Sequence, residues 1–131
     1  IRNYKLPIIS NNYFVELSEA NDAIYEIVKE LEKTPITIKT LNIRVDTARD
    51  LSLKLYSTTN EMIKTAKLAE MTIVYGNRYK PMDDDIERGL DVAGQLFFKG
   101  NYKKSLETAI AAINIVEPDI YKKMLNVYKD E

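Results

Sequence analysis

The sequence predicts an all-α protein, a bundle with long helices and a C-terminal helical hairpin, and three observations carry that prediction. Apolar residues recur at alternating spacings of three and four along most of the chain, the signature of helices packing along a seam. Four glycines and four prolines are few breakers for 131 residues, and they divide the chain between its periodic segments. Strand signals are weak: the Ile/Thr-rich stretch 35–43 is the one candidate, and it runs on into heptads without a break.

Residues 1–9 read as the end of a preceding linker or repeat and 10–131 as the bundle. A first helix is expected from Ser10 to Lys33, with Tyr13, Leu17, Ala20, Ile24, Ile27 and Leu31 facing inward and Glu16, Glu19, Asp22, Glu26, Lys29 and Glu30 on a solvated side. Thr34-Pro35 interrupts it, because the residue before proline is pushed out of the α region while proline itself suits a first helical turn. The second helix carries the stripe Ile38, Leu41, Val45, Ala48, Leu55, Met62, Ala66, Ala69, Ile73. Ser52 and Thr59 fill two of its heptad slots, so the seam weakens mid-helix, where Leu51 compensates. Running to about Tyr79 it would be about 65 Å long, which exceeds the first helix and requires one end to pack elsewhere.

Asp83-Asp84-Asp85 suits a helix start, as cap and as partner of the N-terminal dipole. Ile86, Leu90, Ala93 and Phe97 then form a stripe that ends at Lys99-Gly100-Asn101, a tight turn in which Gly100 is expected to take a positive φ. Tyr102, Leu106, Ala109, Ile113 and Val116 resume the pattern, and Glu117-Pro118 opens a short last helix with Tyr121, Met124, Leu125 and Tyr128 inward.

Composition excludes several functions. Nineteen basic and twenty acidic residues nearly cancel, so no global field attracts nucleic acid. The chain has no cysteine and no histidine, hence no disulfide, no thiolate chemistry, and neither the commonest general base nor the commonest transition-metal ligand. Serines and threonines lack a histidine partner, no Ser-x-x-Lys occurs, and no phosphate-loop pattern surrounds Gly100. Asp83, Asp84, Asp85 and Glu87 concentrate hard oxygen ligands but lack the spacing and central glycine of a calcium loop, so they read as capping. The expectation is a non-enzyme with no cofactor and no metal site. The uncharged stretch 108–116 is too short to span a bilayer, and a start at Ile1 suggests a piece of a longer protein, which leaves room for a membrane anchor elsewhere.

Binding residues are sought at Tyr75-Gly76-Asn77-Arg78-Tyr79. Counting about 100° per residue from Ile73 puts Tyr75 and Tyr79 nearly opposite the stripe, with Leu68, Met71 and Arg78 on the same outer side and Lys64 and Lys67 beside them. Tyr and Arg supply large contact area with few lost rotamers, which suits a protein-contact face. A neighbouring helix covering this side would account for the same pattern. Asn77, about 40° from the stripe, is expected to be partly structural, its amide bonded to backbone or to a helix end.

Two resemblances add to this reading. Leu96-Phe97-Phe98-Lys99-Gly100-Asn101-Tyr102-Lys103-Lys104-Ser105-Leu106 resembles the inner turn of a tetratricopeptide hairpin, and a tetratricopeptide-like peptide-binding module is one alternative, although a lone unit cannot bury its own face. Over nearly the whole chain, Tyr4-Lys5-Leu6-Pro7, Leu31-Glu32-Lys33-Thr34-Pro35, Leu68-Ala69-Glu70, Tyr75-Gly76-Asn77-Arg78-Tyr79, the Phe98 to Tyr102 turn with the helix Leu106 to Ala112, and Val116-Glu117-Pro118 resemble the C-terminal end of the EzrA family, regulators of septation ring formation. That resemblance implies an antiparallel spectrin-like helical bundle, the last of a cytoplasmic rod anchored by an N-terminal membrane helix absent from this chain. It also implies action on the tubulin-like protein FtsZ and other division-complex proteins, at the cytoplasmic side of the cell membrane and the division septum. A short patch of Gln, Asn and Arg is associated in that family with recruitment to midcell; Asn77 and Arg78 match it, and Val74 stands where its glutamine would align. Two readings follow: an interaction module with Leu68, Met71, Tyr75, Gly76, Asn77, Arg78 and Tyr79 as partner-binding residues, or a passive spacer whose tyrosines are core.

Overall fold

A computed structural model describes residues 6–33 and 35–130. As expected the protein is all-α: α1 Asn11–Leu31, α2 Ile38–Gly76, a 3₁₀ segment Asn77–Met82, α3 Asp84–Phe98, α4 Tyr102–Ile113 and α5 Ile120–Lys129, with no strand among the described residues. The described residues divide into two compact units, one within 10–60 and the other made of residues 6–9 and 61–130.

In the first unit α1 and the beginning of α2 fold back on one another, since Lys54 Nζ comes within 3.9 Å of Glu16 Oε1 although the connecting turn lies midway between them. The buried apolar residues are all alanines, Ala20, Ala23 and Ala48. The α1 seam is therefore rotated by about 60° from the expected one: Ile24 and Leu31 are 48% and 51% exposed, while Glu30, expected on the solvated side, is 3% exposed and ion-paired with Lys33 at 3.0 Å. Helices approach most closely where side chains are smallest, so the alanines set the contact line and the larger residues splay away from it. Ile38 and Val45 of the expected α2 stripe are likewise exposed.

α2 has 39 residues, about 58 Å at 1.5 Å per residue, and ends at Gly76 rather than Tyr79. Pro81 accounts for the difference. An α-helix continued through it would need an N–H that proline lacks and would drive its ring into the Asn77 carbonyl, so the backbone tightens into 3₁₀ from Asn77. Gly76 makes the close approach: a Cβ there would lie 2.6 Å from Ile113 Cδ1 and 2.9 Å from Leu90 Cδ1.

In the second unit Asp83 caps α3 as expected, its carboxylate accepting from the Asp85 N–H at 2.7 Å and the Ile86 N–H at 3.4 Å. Ile86, Leu90, Ala93 and Phe97 are all buried. α3 ends in a Schellman motif, with the Asn101 N–H bonding the Leu96 carbonyl and the Gly100 N–H the Phe97 carbonyl, each at 3.0 Å, and Gly100 at φ 84°. The expected hairpin follows: α4 runs back along α3, Ser105 Oγ donating to the Ala93 carbonyl at 2.6 Å. Residues 6–9 lie on this turn, where Tyr102 Oη accepts from the Ile8 N–H at 3.1 Å and donates to the Ile8 carbonyl. Tyr102, Leu106, Ala109 and Ile113 are buried, but Val116 is exposed because α4 stops at Ile113. On α5 the inner stripe is Ile120 and Met124, with Leu125 and Tyr128 packed beside the core; Tyr121, expected inward, is 47% exposed because Ile120 sets the helix phase.

Candidate functional site

The last turns of α2 are covered on two sides, and this decides what the Tyr75 to Tyr79 cluster can do. Gly76 abuts Leu90 of α3 and Ile113 of α4 on one side. On the other, Tyr75 and Tyr79 meet Glu117, in the turn before α5, and Lys123 of α5. The buried arc of α2 thus covers about 180°, leaving Glu70, Val74, Asn77 and Arg78 as the exposed strip.

Tyr75 and Tyr79, one turn apart, pack edge to face with ring centroids 6.2 Å apart. Both phenols donate to Glu117 Oε1, Tyr75 at 2.5 Å. Lys123 Nζ donates to Tyr75 Oη at 2.6 Å and lies 3.7 Å from Glu117 Oε2. Arg78 is exposed and stands over the same ring: its guanidinium carbon is 4.0 Å from the Tyr75 centroid, Lys123 Nζ is 4.6 Å from it, and Arg78 Nε donates to the Tyr75 carbonyl at 3.2 Å. The phenol bonds from Tyr75 and then Tyr79 hold the Glu117 carboxyl below its usual range against partial desolvation. In return the bond to Glu117 pushes the Tyr79 phenol well above its ordinary value, and the bond to Tyr75 raises Lys123. The carboxylate, the ammonium and the two phenol hydroxyls of the cluster satisfy one another.

The expected contact residues therefore separate. Arg78 is exposed, Tyr75, Tyr79 and Met71 are half-buried against the core, and Leu68, expected on the outer side, is 2% exposed in the same core as Ile120 and Met124. Gly76 is buried as well, and its position under Leu90 and Ile113 is a packing role. Asn77, expected to be partly buried, is exposed; it falls where the α-helix passes into 3₁₀ geometry, so the 100° count from Ile73 no longer applies to it. Glu117 and Lys123 were missed by sequence reasoning. Glu117 carried only the signal of a helix start beside Pro118, and nothing local pairs it with tyrosines 42 and 38 positions away.

Beside Tyr75 runs a groove of about 550 Å³ lined by Lys67, Glu70, Met71, Val74, Tyr75, Arg78, Lys123, Met124 and Val127. Among the described residues no group of acidic side chains is arranged to hold a metal ion, and no helix is long and apolar enough to cross a membrane.

Comparison with known proteins agrees with the resemblance. The family profile described as "Septation ring formation regulator, EzrA" matches residues 1–128. The septation ring formation regulator EzrA of Geobacillus sp. (strain WCH70) is 31% identical over 131 residues, all of this chain and 23% of that protein. Its counterpart in Halalkalibacterium halodurans is 27% identical over 124 residues, 95% of this chain and 22% of that protein, and that of Streptococcus sanguinis 27% over 125 residues, with 95% and 22% covered. The chain spans less than a quarter of the length of these relatives. No solved structure matches it. With the profile matched over 128 of 131 residues, the chain belongs to the EzrA family of septation ring formation regulators.

Proposed function

We propose that this chain is a non-catalytic interaction module of a cell-division regulator, which modulates FtsZ ring assembly by docking onto FtsZ or another division-complex protein through the exposed strip Val74, Asn77 and Arg78. The observation that carries this reading is the fixing of Arg78. An exposed arginine held over the Tyr75 ring and bonded to its carbonyl loses little side-chain freedom when a partner arrives, which favours a contact hot spot. Tyr75, Tyr79 and Met71 support the strip from below, and Leu68 and Gly76 contribute through the core. The Tyr-Glu-Lys cluster suits this supporting role better than turnover, because its groups spend their hydrogen bonds on one another. In the whole protein the module would lie on the cytoplasmic side of the membrane at the septum, reached through an anchor outside this chain.

The test is Arg78→Ala, followed by denaturation of the purified chain and by septal localisation of the full-length protein. Stability should stay within about 0.5 kcal/mol, as for most surface substitutions. Partner affinity should fall by about 25-fold or more, the equivalent of about 2 kcal/mol, and recruitment with it. The passive-spacer reading is favoured by one observation, the packing of the half-buried Tyr75 and Tyr79 against the core. Unchanged recruitment with a large stability loss would establish that reading instead.

A further inference from the structure

The groove beside Tyr75 has an apolar floor, Met71 and the fully covered Met124, and apolar walls in which Val74 and Val127 remain 64% and 44% exposed. At its Tyr75 end two cations share one aromatic ring, Arg78 at 4.0 Å and Lys123 at 4.6 Å from the centroid. Glu117 answers Lys123 at 3.7 Å. For Arg78, among the described residues, the one hydrogen bond runs from Nε to the Tyr75 carbonyl, so its terminal amino groups remain available for a bidentate carboxylate. Exposed valines next to an under-compensated cation call for an occupant that is apolar along one face and negatively charged beside it.

We infer that the groove binds a short amphipathic acidic segment of a partner protein, apolar side chains seated between Val74 and Val127 and a carboxylate on Arg78. This rests on the docking reading of the Arg78 strip and adds to it the chemistry of what docks. A lipid surface fits less well, because the exposed valines line a concave groove that admits a peptide segment and not the flat face of a bilayer.

The test uses the 131-residue chain and two fluorescein-labelled peptides of about 14 residues, each with leucines at helical i, i+3, i+4, i+7 spacing, one flanked by aspartates and the other by lysines at the same positions. Fluorescence anisotropy should show the acidic peptide binding at least about tenfold more tightly than its lysine counterpart, with affinity falling as salt rises. Arg78→Glu should reverse the preference while the helical circular dichroism stays unchanged. Equal binding of the two peptides, or a preference that survives Arg78→Glu, would overturn the inference. So would sedimentation with phosphatidylglycerol vesicles in the absence of acidic-peptide binding, which would assign the cation to a lipid surface. If Arg78→Ala abolishes septal recruitment while the acidic peptide fails to bind, the docking face stands and this choice of occupant falls. If the acidic peptide binds and recruitment is intact, the groove keeps its ligand class and the docking reading falls.

Discussion

Glu117 gathers Tyr75 of α2, Tyr79 of the 3₁₀ segment and Lys123 of α5 onto one carboxylate that is still a quarter exposed. Its folded-state pKa is depressed, so its contribution to stability is present above the ordinary value of 4.5 and is lost as pH falls through the lowered folded value. Glu117→Gln keeps an acceptor but removes the charge, and should lower stability at neutral pH. The gap between wild type and variant should then close below pH 4.5, where the wild-type carboxylate takes up its proton. Urea denaturation of both proteins from about pH 7 to about pH 3 measures that gap, and a gap independent of pH would show that the carboxylate charge is not what holds the two phenols. None of this was legible around Glu117 itself, where the sequence shows only an acidic residue before a proline.

The α3–α4 hairpin is the element most completely readable in advance. Its cap, its stripe and its turn each depend on residues within about one helical turn of one another, and all three occur where the sequence places them. Gly100 is the residue on which it depends most. It sits at φ 84°, and a Cβ there would come within 2.9 Å of Ile8 Cγ2, so a larger side chain both strains the backbone and presses on the segment 6–9. Gly100→Val should cost at least about 1 kcal/mol, and Gly100→Asn less, because Asn tolerates the left-handed region. Chemical denaturation of the two variants checks the order; a valine variant as stable as the parent would refute the turn's role. On α1 the same periodic reasoning identified the helix correctly and misplaced its buried face, whereas the expected α2 stripe is buried or half-buried from Ala48 to Ile73 and exposed at Ile38 and Val45. A heptad pattern fixes an arc, whereas alanines at 20, 23 and 48 decide which line within that arc comes closest.

Across the whole molecule the two units differ in what they bury. The unit from Glu61 onward encloses Ile86, Leu90, Ile113 and Ile120 with essentially no exposure, each side chain contributing about 1.5–3 kcal/mol on burial. The unit Ser10–Asn60 buries only alanines among its apolar residues, together with the ion-paired Glu30. Native-state hydrogen exchange should therefore find the amides of α1 opening well before those of α3 and α4, and equal protection would contradict the contrast. By itself the sequence determined that the protein is helical, that Gly100 ends one helix and that Asp83 begins another, because each depends on backbone chemistry within a few residues. Only the tertiary structure decided that α2 is covered on both sides, that Leu68 and Gly76 belong to the core, and that Glu117 and Lys123 complete the site at Tyr75. Those outcomes turn on helix rotations of a few tens of degrees and on contacts between residues some 40 positions apart, which the 3.6-residue period of one helix leaves undetermined.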